Sequence, residues 1–285
     1  MARRSGVRLR PALGVLPFGV YLLIFLIVPT VTVLIGAFAE NGRPSAANLA
    51  ALADGSVATA LLNSVAVSAV TALIGGVVGA LAAYAVVTGR PDGVLRRLVT
   101  SVCGVLAQFG GVTLAFAFIA TLGISGVVST WLDAHLGTSL TSSVWLFGLK
   151  GLVLVYSYFQ IPLMVIVFLP ALDGIRPQWR EAAANLGATG WQYWRYVGLP
   201  LLAPAFLGAL LLLFANAFAA YATAAALVSQ GSPIIPLWIR TALTSEVVLG
   251  RQNFAYALAL EMIVVVAAVM IGYTLLVRRT ARWIR

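Results

Sequence analysis

The sequence predicts an all-α integral membrane protein with six transmembrane helices and a helix-turn-helix loop on its cytoplasmic side. Three observations predict this fold class. Of the 285 residues 61% are hydrophobic, only 9% are charged, and the apolar residues form long runs separated by short polar connections. A soluble globular domain is about 45–50% apolar and about 25% charged, so a soluble enzyme and a disordered chain are both poor interpretations. We therefore treat residues 1–285 as a single transmembrane domain.

Six runs are long enough to cross a bilayer, because about 20 apolar residues span a hydrocarbon core of about 30 Å. The first run exceeds the about 7–15 apolar residues of a secretory signal peptide, so we expect a retained helix. The second run is long and leaves room for an interfacial turn near Leu61–Ser64. The expected spans are residues 13–39, 57–87, 98–122, 144–169, 201–228 and 255–277.

Basic residues predict the orientation of these helices, because Lys and Arg favour the cytoplasmic side of a membrane. Of the 18 basic residues, 14 fall on the side of the N-terminus and 4 fall on the other side. Both termini are therefore expected in the cytoplasm, which requires an even number of spans. The net charge of +10 thus reflects orientation in a lipid bilayer, and we expect no nucleic-acid partner.

Three scarce residue types exclude several kinds of site. The one lysine, Lys150, is followed by Gly151, so the chain has no phosphate-binding Lys-Ser or Lys-Thr motif. His135 is the one histidine and Cys103 the one cysteine, which excludes a two-histidine metal site and an intrachain disulfide. A Ser/His intramembrane protease would have to use His135, which falls in a loop segment. We therefore expect no enzymatic activity, no metal site and no cofactor in this chain.

The longest connection on the predicted cytoplasmic side, residues 171–200, has signals of its own secondary structure. Pro177 suits the first turn of a helix, where the missing N–H costs nothing. A short helix is expected over Gln178–Leu186, ending at Gly187 in the left-handed position that follows many helices. Its three consecutive alanines, 182 to 184, give this helix a surface of short side chains.

A second short helix is expected in the same connection. Thr189 and Gln192, three residues apart, form a capping-box pattern that opens a helix. The helix is expected to run through Trp191 to Val197, and Leu199-Pro200 is expected to end it and turn the chain into the fifth span.

This connection resembles the EAA loop of bacterial binding-protein-dependent ABC importer permeases. The family pattern is E-A-A-x3-G-x9-I-x-L-P. Here Glu181-Ala182-Ala183 is followed by Gly187 and then by Val197-Gly198-Leu199-Pro200, with Val197 in place of Ile as the sole departure. The motif covers 20 residues, and its position before the penultimate span extends the resemblance over nearly the whole chain.

The resemblance implies a bacterial plasma (inner) membrane protein that works with several partners. They are a dimer of ABC ATP-binding subunits, which carries ATP and Mg²⁺, a second permease and a periplasmic or extracellular substrate-binding protein. Glu181 would lie at the ATPase interface beside Arg180, Ala182 and Ala183 would allow close approach, and Gly187 would make the bend. The alternative is a loop whose helices only join two spans.

Polar residues at membrane depth are costly and often functional. Gln160, Asn216, Tyr221 and Glu261 are the candidates for a transport pathway. For Gln160 and Asn216, hydrogen bonding between helices is an equal alternative, and Glu261 could instead pair with an arginine, 240 or 251, at the outer rim. Small residues at four-residue spacing, by contrast, are expected to serve helix packing; they are Gly75, Gly79 and Ala83.

Two further segments, residues 219–225 and 253–259, look most like the spermidine/putrescine-type branch of the family. The resemblance therefore implies a polyamine substrate, with phosphonate, ferric iron or thiamine as alternatives within the same class of importer. Members of that branch commonly work as pairs of related permeases, so the resemblance favours a homologue as the second permease over a copy of this chain, and both alternatives stay open. A different class, the ion-coupled secondary transporter, would need ionisable residues near the midplane. Glu261 is the one candidate for such a residue, and the EAA-like loop would then be unexplained.

Overall fold

The computed structural model describes residues 9–40, 42–89, 93–137, 144–228, 234–244 and 252–281. Within these ranges six helices are long and apolar enough to cross a membrane, which confirms the all-α membrane fold. They are Leu16–Ala37, Gly55–Val87, Gly111–His135, Leu149–Asp173, Gly190–Phe218 and Gln252–Leu276. Side chains of residues 9–15, 136, 144 and 277–281 are not described.

The chain forms two compact units. One consists of Met1–Ala58 and Trp238–Val264, and the other of Thr59–Leu237 and Val265–Arg285. Three helices pass from one unit to the other along the chain: α4 (Gly55–Val87), α13 (Ile235–Thr244) and α14 (Gln252–Ala281).

The smaller unit begins with an apolar helix whose surface is unburied: Phe18 is 61% exposed and Phe25 is 67% exposed. The ring of Tyr256 in α14 lies directly against Gly36, where there is no room for a Cβ atom. The other elements of this unit are α1 (Leu9–Leu22), a first π-turn (Leu23–Ile27), α2 (Val28–Ala37), β1 (Ala39–Glu40) paired antiparallel with β2 (Arg43–Pro44), α3 (Ala47–Ala50) and a 3-10 turn (Ala51–Ala53).

The larger unit is built around α8, whose Leu152, Tyr156 and Met164 side chains are fully buried or nearly so. Its elements after α4 are α5 (Val94–Gln108), α6 (Gly111–Leu122), α7 (Val127–Leu136), a 3-10 turn (Val144–Phe147), α8 (Leu149–Asp173), α9 (Pro177–Asn185), α10 (Gly190–Tyr193), a second π-turn (Trp194–Gly198), α11 (Leu199–Phe218) and α12 (Ala222–Leu227).

Helix α4 packs against α8 through its small residues. A Cβ atom on Gly75 would lie 2.6 Å from Cβ of Gln160, and one on Gly79 would lie 2.5 Å from Cβ of Met164. Ala83, one turn further on, is fully buried. As the sequence predicts, these small residues allow α4 to pack closely against α8.

The structure divides two spans that the sequence analysis treats as continuous helices. Residues 98–122 are interrupted between α5 and α6, because Gly110 is extended and Gly111 has a φ of +70° that few other residues adopt. The apolar segment that remains is 111–135. Residues 201–228 are interrupted between α11 and α12, at Ala219–Tyr221.

The interfacial turn suggested near Leu61–Ser64 is absent from the structure, because α4 runs without a break from Gly55 to Val87. The helix is capped earlier, where the N–H of Ser56 donates to Oδ1 of Asp54 at 2.8 Å. The Ser56 hydroxyl also donates to Oδ1 of Asp54, at 2.6 Å. These two hydrogen bonds, the side-chain bond foremost, lower the pKa of Asp54, which lies just ahead of the helix.

Candidate coupling loop and transport path

Helix α9 of the loop ends as its sequence predicts. The N–H of Ala188 donates to the carbonyl of Ala183 at 3.0 Å, and the N–H of Gly187 donates to that of Ala184 at 2.9 Å. This pair of hydrogen bonds is a Schellman motif, and Gly187 supplies its left-handed residue with a φ of +77°. The first helix and the glycine bend are therefore set by local hydrogen bonds.

The capping box predicted at Thr189 is also present. The hydroxyl of Thr189 accepts from the N–H of Gln192, and the side-chain oxygen of Gln192 accepts from the N–H of Thr189 at 2.7 Å. The helix that begins here does not end at Leu199-Pro200, however, and the prediction of a turn at that point is wrong. It continues from Gly190 through Phe218.

A π-turn explains how the helix passes Pro200. The N–H of Leu199 donates to the carbonyl of Trp194, five residues back, so the helix is widened where Pro200 has no N–H to offer. The same arrangement precedes Pro29, since the N–H of Val28 donates to the carbonyl of Leu23. A proline that looks like a helix end in the sequence is thus accommodated inside a helix in both places.

The surface of α9 is open. Arg180, Glu181 and Ala182 are exposed, and neither Arg180 nor Glu181 forms an ion pair within the described part of the chain. An apolar groove of about 450 Å³ is lined by residues that include Ala182, Ala183 and Tyr196. Leu186, at the end of α9, is 88% exposed. An exposed apolar side chain beside unpaired charges is a surface suited to a protein partner.

An ion pair holds the base of this loop. Arg96, in the first turn of α5, is bonded to Asp173, the last residue of α8. The two side chains are 20% and 39% exposed, so the pair is partly solvated and stabilises the fold modestly. Its position fixes the end of α8 from which the loop departs.

The polar candidates at membrane depth lie in different environments. Gln160 is fully buried; its Nε2 donates to the carbonyl of Leu213 at 2.6 Å, and its Oε1 accepts from Nδ2 of Asn216 at 3.4 Å. The geometry of Gln160 therefore favours hydrogen bonding between α8 and α11. Asn216 itself is exposed, as is Tyr221 at 40%.

Glu261 of α14 lies apart from the cluster around Gln160. Its side chain is half-buried, and one carboxylate oxygen is buried without a hydrogen-bond partner among the described residues. It forms no ion pair with Arg240, and Arg251 lies outside the described residues. The arginine pairing considered for Glu261 is thus not seen with Arg240.

Two helix breaks approach one another in the larger unit. A Cβ atom on Gly111 would be 3.7 Å from Cβ of Ala222, so the start of α6 lies against the start of α12. Ala220 lies directly before α12, and its carbonyl accepts a hydrogen bond from the hydroxyl of Tyr156 at 2.6 Å. A backbone carbonyl that is freed where a helix ends needs such a partner when it is buried away from water.

A family model matches residues 75–282, which include the loop, both helix breaks and all four pathway candidates. Its description is "Binding-protein-dependent transport system inner membrane component". The chain belongs to this family. Membership establishes a multi-pass inner-membrane protein of the transport-system class, in agreement with the resemblance drawn from the loop.

Individual relatives of the family are more distant. The sulfate transport system permease protein CysW of Escherichia coli K12 is 28% identical over 61% of this chain and 56% of its own length. The corresponding CysT protein is 27% identical over 72% of this chain and 70% of its own length. The match to CysW thus spans little more than half of that relative.

One solved structure shares the fold of the present chain over most of the length of both proteins. It is the crystal structure of a bacterial ABC transporter involved in the import of the acidic polysaccharide alginate, with a TM-score of 0.77. The two sequences are 20% identical, and the match covers 94% of each chain. At this identity the likeness concerns the fold.

Sequence reasoning missed several contacts of this site. The Tyr156 to Ala220 hydrogen bond joins residues 64 apart, and the Arg96 to Asp173 pair joins residues 77 apart. Neither has a signal in the sequence. The break before Gly111 does have one, since a Gly-Gly pair inside an apolar run weakens a helix.

Proposed function

We propose that this chain is the membrane-spanning permease subunit of an ATP-driven importer, in which it forms half of the translocation path. The observation that carries the proposal is the EAA-like sequence on an exposed helix-turn-helix. Its bend is built by local hydrogen bonds, and its Glu181 and Arg180 lack ion-pair partners within the described residues. A rigid, exposed and unpaired element of this kind is suited to transmit motion from a second protein.

The partner on this loop is an ABC ATP-binding subunit, two copies of which would serve two permeases. ATP and Mg²⁺ belong to that partner, and no chemical step is assigned to this chain. A second permease, related rather than identical, would complete the pathway. Two different relatives, CysT and CysW, are both named as permease proteins of the sulfate transport system, which supports a related pair.

The loop side of the membrane is the cytoplasmic side in this proposal. The distribution of 14 basic residues against 4 supports that orientation, with both termini in the cytoplasm. A substrate-binding protein would then meet the opposite face, where the connections 123–143 and 229–254 lie in the topology predicted from the sequence.

The substrate is delivered and selected by that binding protein. The polyamine prediction rests on the resemblance of residues 219–225 and 253–259 alone. Two of the relatives are named for sulfate, others are named for thiamine and trehalose, and the solved structure is named for acidic alginate, so anionic substrates belong in the same test. Uptake should be measured for spermidine, thiamine, phosphonate, ferric iron and sulfate, each with the substrate-binding protein that stimulates the complex.

Co-purification and vesicle uptake test the proposal together. A tagged permease should retain an ATP-binding subunit through detergent extraction, and reconstituted vesicles should take up substrate only with ATP and the binding protein present. Uptake by this chain without the ATPase, driven by a proton or sodium gradient, would contradict the proposal and identify a secondary transporter.

A further inference from the structure

The ion pair at the base of the loop is formed by two charges that each lie at the unfavourable end of their own helix. Arg96 is the third residue of α5, and Asp173 is the last residue of α8. The dipole of a helix favours anions at its N-terminus and cations at its C-terminus, and its effect is confined to the first and last turns. Neither charge therefore stabilises the helix that carries it, and each is instead paired with the other.

Asp173 is tied closely to α9 along the chain. Three residues, 174 to 176, separate it from Pro177, the first residue of α9. Because a chain advances at most about 3.6 Å per residue, α9 begins within about 14 Å of Asp173. The connection is also partly ordered by the backbone, since the N–H of Ile175 donates to the carbonyl of Leu172 at 3.1 Å. A displacement of α9 is therefore passed to Asp173 over a short distance.

Arg96 brings a different part of the chain to the base of the loop. Its helix, α5, packs against α8 and ends at Gln108, just before the break at Gly110 and Gly111. The 15 residues of α5 extend for about 22 Å at a rise of about 1.5 Å per residue. Since Arg96 and Asp173 are 77 residues apart, α5 is joined to the base of the loop by packing and by this ion pair, with no short stretch of chain between them.

Given the importer function proposed above, we propose that Arg96 and Asp173 are positioning residues that make α5 move together with the loop during the transport cycle. Their side chains are 20% and 39% exposed, so the pair contributes little to the stability of the fold. Two charges that oppose the dipoles of their own helices and stabilise the fold only modestly fit a role in holding α5 to the moving element.

Uptake and ATP hydrolysis in the same vesicles test the proposal on the complete complex. The probe is whichever of spermidine, thiamine, phosphonate, ferric iron and sulfate the native complex takes up. Arg96→Gln and Asp173→Asn should each lower uptake per ATP hydrolysed by up to about fivefold, the most that a partly solvated ion pair supplies. Arg97→Gln is the matched control, because Arg97 is exposed and forms no ion pair in the described part of the chain; its ratio should stay native.

Exchange of the two charges separates positioning from stability. The double variant Arg96→Asp/Asp173→Arg restores the pair, keeps the net charge of the loop side, and places each charge at the favourable end of its helix. It should recover the native uptake per ATP and unfold at a temperature no lower than the native protein. A double variant that couples as poorly as the single variants would overturn the proposal. So would single variants that unfold at a lower temperature but keep the native uptake per ATP.

The motion of α5 can be measured without any substrate, because Cys103 lies in α5 and is the one cysteine of the chain. A spin label on Cys103 and another at Ala184→Cys, on an exposed position of α9, report the distance between α5 and the loop when the partner subunits carry no cysteine. Addition of ATP should leave this distance unchanged with the native pair and should change or broaden it in Arg96→Gln. The same response to ATP in both proteins would overturn the proposal.

These measurements distinguish failure of the positioning role from failure of the importer function. A native complex whose uptake needs no ATP would refute the importer function and the positioning role with it. A native complex that couples uptake to ATP, together with a native ratio in Arg96→Gln, would refute the positioning role alone.

Discussion

The hydroxyl of Tyr156 donates to the carbonyl oxygen of Ala220 at 2.6 Å, where α11 has ended and α12 has not yet begun. This hydrogen bond ties the most buried helix of the larger unit to a break in its neighbour. Tyr156→Phe removes the bond and keeps the ring. Hydrogen bonds between membrane helices stabilise by about 0.6 kcal/mol on average and by about 1.7 kcal/mol at most, so a loss of that size is expected.

Unfolding of the purified permease in mixed micelles measures this loss. Tyr158→Phe is the matched control, because the Tyr158 ring packs on Phe118 and its hydroxyl has no hydrogen-bond partner among the described residues. If Tyr156→Phe and Tyr158→Phe were equally stable, the hydrogen bond would have no role in holding the break.

Gln160 offers a second test, between a structural and a pathway role. Gln160→Leu removes the hydrogen bonds to Leu213 and Asn216 and should lower the free energy of unfolding by about 1–2 kcal/mol. Ser157→Ala is the control, since the Ser157 hydroxyl bonds within its own helix, to Val153. A Gln160→Leu variant of normal stability with altered substrate selectivity would favour the pathway role instead.

Two glycines are expected to respond oppositely to substitution by alanine, because one lies in the contact of α4 with α8 and the other does not. A Cβ on Gly79 would meet the carbonyl oxygen of Ile161 at 2.6 Å, so Gly79→Ala should destabilise by about 1–3 kcal/mol through overpacking. Gly104 in α5 has open space, and Gly104→Ala should stabilise by up to about 1 kcal/mol through helix propensity. Thermal unfolding of both variants decides, and a tolerated Gly79→Ala would refute the close packing.

Substitution of Gly187, at the bend of the loop, is expected to strain the backbone without causing a steric clash. Gly187 has a φ of +77°, and a Cβ atom added to it would have nothing within 4 Å. Gly187→Ala should therefore destabilise the folded loop by about 1–2 kcal/mol through backbone strain alone. Gly187→Asn should behave more like the native chain, because Asn tolerates this conformation. Affinity for the ATP-binding subunit is the readout, and equal affinities of the two variants would contradict the role of the bend.

The loop could be predicted from the sequence because its signals are local. Pro177, Gly187 and the Thr189/Gln192 pair each act within one helical turn, and each is found in its predicted role. The helix end predicted at Pro200 is wrong because a π-turn, which has no composition signal, lets the helix continue past this residue.

The path through the membrane was harder to predict because its contacts join distant residues. A hydropathy profile shows one apolar run over residues 98–122, but it does not show that the backbone geometry at Gly111 divides this run into two helices. Likewise, sequence alone left Gln160 between two roles, and its hydrogen bond to Leu213 depends on how α8 and α11 pack.

In the proposed importer, α9 couples ATP hydrolysis by the partner subunit to movement of the membrane helices through Glu181. ATP hydrolysis and substrate uptake measured in the same vesicles test this coupling. Glu181→Lys should strongly reduce uptake per ATP hydrolysed, because it reverses the charge of an exposed side chain with no ion-pair partner among the described residues. Gln178→Lys, which adds the same charge to α9 and keeps Glu181, should retain most of the coupling. Normal uptake and normal ATPase association in Glu181→Lys would contradict the coupling role of Glu181.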